Sequence, residues 1–232
     1  MGDIQERFDA LRPWYTRFTV DGKHYGGDAS YDDDARVALF YAWFARPATI
    51  LELGSLEGGH SVQLAAPGFV ERLVGVEARA GNIARAKLAA ELLGRGNIEF
   101  RQADLERALL DPFGAFDAVF CGGLLYHLMR PWHLLEEVGK VTDQFFLDTQ
   151  VSATEDATFE GYVGCWYAEQ PDQPTRHTDT DTLSGLSDAS FWLTLPCLVD
   201  TLRRIGFVVK EQRLTENWDG YGPRVQLGLI RT

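Results

Sequence analysis

The sequence has little cysteine and little positive charge, and both shortages exclude classes of protein. Its three cysteines, Cys121, Cys165 and Cys197, are odd in number and lack the spacing of metal ligands. This predicts free thiols in a reducing compartment, with no disulfide and no zinc site. Lys and Arg number 22 against 34 Asp and Glu, a net charge of −12. Because broad binding to a phosphate backbone needs a positive surface, nucleic acid is a disfavoured partner.

Long apolar runs are also missing. No stretch approaches the roughly 18 apolar residues of a membrane span, and the first residues lack the basic and apolar regions of a secretion signal. The sequence therefore predicts a cytoplasmic protein without a membrane partner. With 232 residues, 45% of them apolar, the chain is long enough to bury the core of one domain.

Short apolar segments alternate with helix-like segments through much of the chain. This alternation predicts an α/β fold, a Rossmann-like sheet of seven mostly parallel strands with helices on both faces. Two further apolar segments between 207 and 232 flank a Gly- and Asp-rich turn, which predicts a C-terminal antiparallel hairpin. The five strand-like segments that precede them are 49–54, 72–78, 98–104, 116–123 and 144–150.

Composition divides the chain into an N-terminal cap segment, 1–47, and a larger domain, 48–232. The cap segment is rich in aromatic residues, which either cover a ligand site or pack against the sheet. Within the larger domain, residues 151–190 are rich in Asp, Thr, Ser, Pro and Gly. This composition predicts a lid or substrate loop.

Helix signals stand on either side of these segments. A helix is predicted from about Asp33 to Phe44 by apolar periodicity. The stretch SFWLTLPCLVDTLRRIGF, 190–207, predicts another, with Thr194 or Ser190 as its N-cap and Gly206 at its end.

A glycine-bearing turn follows the first strand-like segment of the larger domain, and it reads ELGSLEGG, 52–59. A dinucleotide fingerprint would have a glycine where this turn has Leu56, and Glu57 would place negative charge beside a pyrophosphate. The acidic residues favour a zwitterionic ligand with an ammonium group. They disfavour a nicotinamide dehydrogenase.

The turn resembles the first motif of the class I S-adenosylmethionine-dependent methyltransferases, which is an acidic residue, x, Gly, three residues, Gly. Glu52, Gly54 and Gly58 match it. The resemblance implies that the glycines let the backbone approach the methionine and adenosine parts of S-adenosylmethionine. It also implies that Glu52 engages the ammonium group, directly or through water. Taken alone, the motif would be explained about equally well as a Gly-rich turn at any strand-to-helix junction.

Strand ends further along the chain extend the resemblance. Glu77 ends the second strand, where an acidic side chain accepts both ribose hydroxyls or simply faces solvent. Asp104 ends the third strand, where the family places a residue against the adenine amino group, although an Asp also suits a helix N-cap. The implied cofactor-binding residues are Glu52, Gly54, Ser55, Gly58, Glu77, Ala78, Asp104, Leu105, Cys121 and Gly122.

The segment GGLLYHLMRP, 122–131, resembles the G-x-L-Y-H-x-x-x-P loop of methyltransferases near the wobble-uridine tRNA modification branch. Some members of that branch transfer a carboxymethyl group and carry more basic residues in this loop. Only Arg130 is present here, so ordinary S-adenosylmethionine is the expected donor. Because the loop follows a strand, Tyr126 and His127 are expected at the carboxyl edge of the sheet.

His127 is the candidate catalytic residue of this loop. Imidazole titrates near neutrality and can take a proton from a nucleophile, although a structural histidine would look the same in sequence. Tyr126 is expected to shape the pocket. His133 is expected to pack in its helix or to face solvent.

The sequence thus predicts a methyltransferase that moves a methyl group from S-adenosylmethionine to oxygen or nitrogen of a small-molecule acceptor by in-line displacement. The alternatives are a tRNA wobble-uridine (carboxy)methyltransferase and a non-catalytic nucleoside-binding module. The sequence does not define the oligomeric state.

No metal site is expected, because neither HTDTDT, 177–182, nor the aspartates 32–34 show a ligand pattern. Asp148, at the end of the fifth strand-like segment, suits a substrate contact or a turn equally well. Several aromatic side chains are candidates for an acceptor pocket and equally for the core. They are Trp14, Tyr15, His24, Tyr25, Tyr162, Trp166, Phe191 and Trp192.

Overall fold

A computed structural model describes residues 3–169, 183–217 and 220–231. The segment 177–182, considered above for metal binding, lies outside the described residues. The helices are α1 (Ile4–Asp9), α2 (Ala35–Trp43), α3 (Gly59–Leu64), α4 (Ala80–Leu92), α5 (Pro131–Val141) and α6 (Leu195–Arg204). The strands are β1 (Thr16–Val20), β2 (Lys23–Gly26), β3 (Ala29–Ser30), β4 (Thr49–Leu53), β5 (Arg72–Glu77), β6 (Ile98–Gln102), β7 (Ala118–Gly122), β8 (Gln144–Gln150), β9 (Ala157–Phe159), β10 (Tyr162–Ala168), β11 (Ala189–Leu193), β12 (Phe207–Thr215) and β13 (Arg224–Arg231).

Seven strands form the central sheet in the order β12-β13-β8-β7-β4-β5-β6. β4 pairs in parallel with β5, β5 with β6, and β7 with β8. β13 is antiparallel to both β8 and β12, which makes the last two strands a hairpin. The predicted fold class, a mostly parallel Rossmann-like sheet with a C-terminal antiparallel hairpin, is confirmed.

The chain forms two compact units. The first contains the described residues up to Ala103 together with Leu183, and the second contains the described residues from Asp104 onward except Leu183. The division into a cap segment, 1–47, and a larger domain with a lid stays a prediction.

In the first unit, aromatic residues of the N-terminal segment pack into a core. Phe8 is buried and its ring stacks on Tyr25 with ring centroids 5.2 Å apart, and it lies 4.6 Å from the ring of Trp14. The same cluster includes Ala86 and Ala89 of α4. Trp14 and Tyr25 therefore contribute to the core.

Glu57 attaches the N-terminal strand to the glycine turn. Its fully buried carboxylate accepts hydrogen bonds from the backbone N–H groups of Tyr15 and Thr16, the latter at 2.6 Å, and lies 3.6 Å from the Arg85 guanidinium. Burial raises the pKa of Glu57, and these donors oppose that rise. The charge is thus balanced by contacts within the first unit, whereas the sequence showed only a negative charge in the turn that would disfavour a pyrophosphate.

In the second unit, β9, β10 and β11 form a separate antiparallel sheet, in the order β11-β10-β9. The helix predicted over 190–207 is therefore wrong at its start, because residues up to Leu193 pair with β10 as β11. The helix itself is α6. Thr194 is its N-cap and accepts a hydrogen bond from the Cys197 N–H at 3.3 Å, while Gly206 follows with a φ of +94°.

We expect Glu57→Ala to lower the free energy of unfolding by about 3 kcal/mol, because it leaves two backbone N–H groups and the Arg85 charge without their buried partner. Urea denaturation followed by circular dichroism measures the change. Glu71→Ala, at an exposed glutamate of the same unit, is the matched control. Equal stabilities of the two variants would contradict this role.

Candidate functional site

The turn after β4 has a backbone path that requires glycine. The N–H groups of Gly54 and Ser55 both donate to the Val76 carbonyl of β5, at 2.9 and 3.0 Å. Gly54 and Gly58 have φ values of +75° and +84°, which other residues adopt only at an energetic cost. A Cβ on Gly58 would also lie 3.1 Å from the Cβ of Ala86 in α4. The turn is therefore held tightly against the strand and helix beside it.

Two buried oxygens in this turn lack a hydrogen-bond partner among the described residues. They are Oε1 of Glu52 and Oγ of Ser55. The other carboxylate oxygen of Glu52 accepts a hydrogen bond from the Ser61 hydroxyl. Burial raises the pKa of Glu52 to about 8. Since a buried acceptor without a donor is costly, these atoms suit a ligand that supplies donors, such as an ammonium group.

Glu77 lies at the carboxyl end of β5 and contacts the glycine turn directly. One carboxylate oxygen accepts a hydrogen bond from the Leu56 N–H at 3.1 Å, and the other accepts one from the Arg79 N–H at 2.9 Å. The Asn82 amide adds a contact of 3.3 Å. The alternative of a solvated glutamate is wrong, because only 7% of Glu77 is exposed. Ala78, the next residue, accepts a hydrogen bond from Gln102 at 2.9 Å.

Asp104 opens the second unit and caps a turn. Its carboxylate accepts a hydrogen bond from the Glu106 N–H at 3.0 Å, and its side chain is 41% exposed. The helix N-cap considered from sequence is wrong, because residues 105–107 form a turn and not a helix, and the adenine contact stays a prediction. Leu105 is buried beside it.

Cys121 and Gly122 end β7. Cys121 is fully buried, and burial raises the pKa of its thiol to about 12, which makes it an unreactive neutral group. A Cβ on Gly122 would lie 2.6 Å from the Phe120 ring, so this position admits only glycine without movement of that ring.

His127 lies in a short 3-10 turn, Leu125–His127, and is paired with a residue that sequence reasoning missed. Its Nδ1 lies 3.0 Å from each carboxylate oxygen of Glu169. The Glu169 side chain is 2% exposed, and that of His127 is 20% exposed. Burial opposes ionisation of Glu169, but hydrogen bonds from His127, Gly185 and Ser190 lower its pKa below the usual value.

This pairing defines the state of the imidazole. Because an ionised carboxylate only accepts hydrogen bonds, Nδ1 of His127 carries a proton, and this N–H donates a hydrogen bond to Glu169. In the neutral ring the lone pair is then on Nε2. The arrangement prepares Nε2 of His127 to accept a proton.

Two carboxylates also hold the loop around His127, the half-buried Glu106 and the buried Glu169. Glu106 accepts hydrogen bonds from the backbone N–H groups of Met129 and Arg130. Gly185 donates to Glu169 at 3.1 Å, and a Cβ on Gly185 would lie 2.6 Å from the His127 carbonyl oxygen. Glu106 and Glu169 gave no sequence signal, because Glu106 lies 23 residues from Met129 and Glu169 lies 42 residues from His127.

The buried ion pair between Arg224 and Asp148 lies beside Tyr126, with the Arg224 guanidinium against the Tyr126 ring. Arg224 Nε donates to an oxygen of Asp148 at 2.9 Å, and its guanidinium lies 5.3 Å from the centre of the Tyr126 ring. Both charged residues are buried. Asp148, which sequence left open as a substrate contact or a turn former, therefore pairs with Arg224 within the second unit.

The four aromatic candidates of the second unit divide by position. Tyr162 stacks on Trp132, with ring centroids 4.0 Å apart, and Trp166 and Phe191 pack against one another at 5.1 Å. Trp192 instead donates its indole N–H to the Tyr126 carbonyl at 2.8 Å, which places it beside the His127 turn.

Among the described residues, no three His, Cys, Asp or Glu side chains are grouped so that they could hold a metal ion. In the same part of the chain, no helix has the length and apolar character of a membrane span.

Comparison with known proteins identifies the family. A family model described as a methyltransferase domain matches residues 51–144. Among curated proteins, no sequence matches this chain. The N-terminal domain of EvdMO1, crystallised in the presence of SAH and D-fucose, is 31% identical over 99% of this chain and 95% of that one, with a TM-score of 0.83. The chain belongs to the class I S-adenosylmethionine-dependent methyltransferases, and S-adenosylmethionine is its cofactor.

Two further structures give the range of similarity. This chain covers 47% of the longer EvdMO1 structure, at 30% identity and a TM-score of 0.73. Magnesium protoporphyrin IX methyltransferase (ChlM) from Synechocystis PCC 6803, with bound SAM, is 18% identical over 86% of this chain and 77% of that one, with a TM-score of 0.58. The second similarity shows the shared fold.

We expect Glu52→Gln to stabilise the ligand-free protein at alkaline pH. The pKa of Glu52 in the folded chain, about 8, lies above that in the unfolded chain, so its contribution to stability is lost as pH rises through that range. A neutral amide avoids this loss. The stability advantage of the variant should therefore grow from about pH 5 to about pH 8 in urea denaturation. An advantage that does not change with pH would contradict the assignment.

We expect Glu77→Ala to weaken S-adenosylmethionine binding by about tenfold to a hundredfold, because hydrogen bonds to a charged group contribute roughly 1.5–3 kcal/mol. Isothermal titration calorimetry measures the affinity. Glu99→Ala, at a half-exposed glutamate of β6, is the control and should bind normally. Unchanged affinity of Glu77→Ala in a folded protein would remove Glu77 from the cofactor site.

Proposed function

We propose that this methyltransferase acts on a hydroxyl group of a small-molecule acceptor, with His127 as the general base. The observation that carries the proposal is the contact of 3.0 Å between Nδ1 of His127 and the buried carboxylate of Glu169. It leaves the lone pair of the neutral ring on Nε2, where a hydroxyl proton can be received.

The step balances as an in-line displacement. S-adenosylmethionine would supply the methyl group that is bonded to its sulfonium sulfur. The leaving group is the neutral thioether that remains. The acceptor oxygen forms the new bond to the methyl carbon, the carbon–sulfur bond breaks with its electron pair going to sulfur, and the hydroxyl proton passes to Nε2 of His127. Glu169 stabilises the imidazolium that results, because its negative charge lies beside Nδ1.

The cofactor-binding residues predicted from sequence are part of the proposal. The unpartnered oxygens of Glu52 and Ser55 suit the ammonium group, and the carboxylate of Glu77 suits the ribose hydroxyls. Gly54 and Gly58 give the backbone room to approach the ligand. Ala78, Asp104, Leu105, Cys121 and Gly122 complete the proposed set.

The similarity to the N-terminal domain of EvdMO1 favours oxygen over nitrogen as the acceptor atom. The N-terminal domain of EvdMO1 was crystallised with D-fucose, a sugar whose candidate acceptor atoms are hydroxyl oxygens. We therefore propose a hydroxylated small molecule of the sugar type for this chain as well.

The wobble-uridine tRNA function gains no support from these comparisons. Arg130, the one basic residue of the loop, pairs with Glu160 at 2.8 Å and lies over the Phe159 ring. Its charge is thus already balanced, which favours S-adenosylmethionine over a donor with an extra carboxylate. A tRNA shift assay tests this point, since salt-sensitive binding at micromolar protein would revive the alternative.

We expect His127→Ala to lower kcat by about a hundredfold or more while the Kd for S-adenosylmethionine changes little, because loss of a general base affects only the transition state. Steady-state kinetics with a hydroxylated acceptor, together with calorimetry for the cofactor, measures both quantities. His133→Ala, at an exposed histidine of α5, is the matched control. Full activity of His127→Ala would show that His127 is structural.

A further inference from the structure

One face of the sheet β9–β11 carries the side chains that lie beside His127. Side chains alternate along a strand, so Tyr167 and Glu169 project from the same face at the end of β10. In β11, Ser190 lies directly opposite Tyr167, and Trp192 lies opposite Cys165. Since Glu169 contacts His127, this face of the sheet is the one next to the proposed base.

Three aromatic rings form a continuous surface on this face. Tyr167 stacks on Trp192 with ring centroids 4.4 Å apart and planes inclined by 17°. Tyr221 meets Tyr167 edge-on at 6.4 Å and is 55% exposed. We call Tyr167, Trp192 and Tyr221 the aromatic shelf.

Hydrogen bonds fix the base of the aromatic shelf. The Trp192 indole N–H donates to the Tyr126 carbonyl at 2.8 Å and lies 3.2 Å from the Ser190 hydroxyl. Trp192 is also 6% exposed, so its ring cannot turn freely. Tyr167 therefore rests on an immobilised ring, and it is half-buried.

The charges beside the aromatic shelf are already balanced. Glu169 pairs with His127 at 3.0 Å. Arg224, which lies against Tyr126, pairs with Asp148. An acceptor that carried its own charge would gain no partner from these groups and would lose its hydration.

We propose that Tyr167, supported by Trp192, is the surface on which the acceptor ring lies, and that the acceptor is a neutral pyranose. This inference rests on the proposed function. A pyranose has a face of C–H groups that packs on an aromatic ring, and hydroxyls around its edge that reach a base. A saturated hydroxyl also holds its proton far more tightly than a phenol does, so it is the nucleophile that most needs a base such as His127.

The test measures binding to protein saturated with S-adenosylhomocysteine, so that no turnover is required. Three probes are titrated and followed by NMR: methyl galactopyranoside, the methyl glycoside of galacturonic acid, which carries a free carboxylate, and catechol, a planar phenol. We expect the neutral pyranoside to bind, and the galacturonate and catechol to bind more weakly. Failure of the pyranoside to bind, or tighter binding of either other probe, would overturn the substrate class.

Variants test the surface itself. Tyr167→Leu should weaken pyranoside binding by about tenfold, the loss of one stacked ring, and Tyr167→Phe should retain it. Trp166→Leu is the matched control, because Trp166 is the neighbouring aromatic on the opposite face of β10. Thermal unfolding confirms that each variant is folded. Unchanged affinity of Tyr167→Leu, or equal losses in Tyr167→Leu and Trp166→Leu, would refute the assignment.

The outcomes separate this inference from the proposed function. Pyranoside binding that depends on Tyr167 without any methyl transfer would leave the aromatic shelf in place and refute hydroxyl methylation. If the protein methylates a hydroxyl acceptor and the KM for that acceptor is the same in Tyr167→Leu as in the unchanged protein, the proposed function is supported. The aromatic shelf is then refuted as the acceptor surface.

Discussion

Buried and half-buried carboxylates that accept hydrogen bonds from backbone N–H groups are the interaction on which this structure depends. A loop beside a sheet leaves several N–H groups without partners in regular structure, and each is costly if it is buried unsatisfied. In this chain, glutamate carboxylates accept hydrogen bonds from such N–H groups. Glu57 binds the start of β1, Glu77 the glycine turn, Glu106 the loop after His127, and Glu169 the backbone at Gly185. Part of the net charge of −12 is therefore internal.

The same interaction prepares the chemistry of both units. In the first unit Glu77 holds the turn that is proposed to receive the cofactor, and Glu52 keeps one oxygen without a partner among the described residues. In the second unit Glu169 binds His127 on one side and Gly185 on the other. A carboxylate held by neighbouring donors remains ionised although it is buried, so it can orient an imidazole and stabilise its charged form.

The sequence predicted the parts of the fold that local pattern determines. The strands from β4 to β8 lie within the segments chosen from apolar runs, with ends that differ by two residues at most. The start of the helix predicted over 190–207 failed because a short apolar run such as SFWL has no period that separates a strand from a helix. Its pairing with β10 decides the matter, and that pairing is a tertiary contact.

As with the fold, the sequence predicted only those parts of the candidate site that a local pattern defines. Glycine spacing and strand-end acids predict Glu52, Gly54, Gly58 and Glu77 as cofactor-binding residues, since their pattern can be read along the chain. Glu169 could not be found, because it lies 42 residues from His127 and its role exists only after the chain folds. Glu57 was recognised from sequence only as a negative charge in the turn. Its partners, the backbone N–H groups of Tyr15 and Thr16, could not be predicted, because they lie about forty residues earlier in the chain.

The protonation state of the His127 ring tests the central claim most directly. Long-range proton–nitrogen NMR spectra of the neutral imidazole, recorded on protein saturated with S-adenosylhomocysteine, distinguish the two neutral tautomers. The hydrogen bond to Glu169 predicts a proton on Nδ1 and a lone pair on Nε2. A proton on Nε2 would contradict the account, because His127 would then have no lone pair to offer an acceptor hydroxyl.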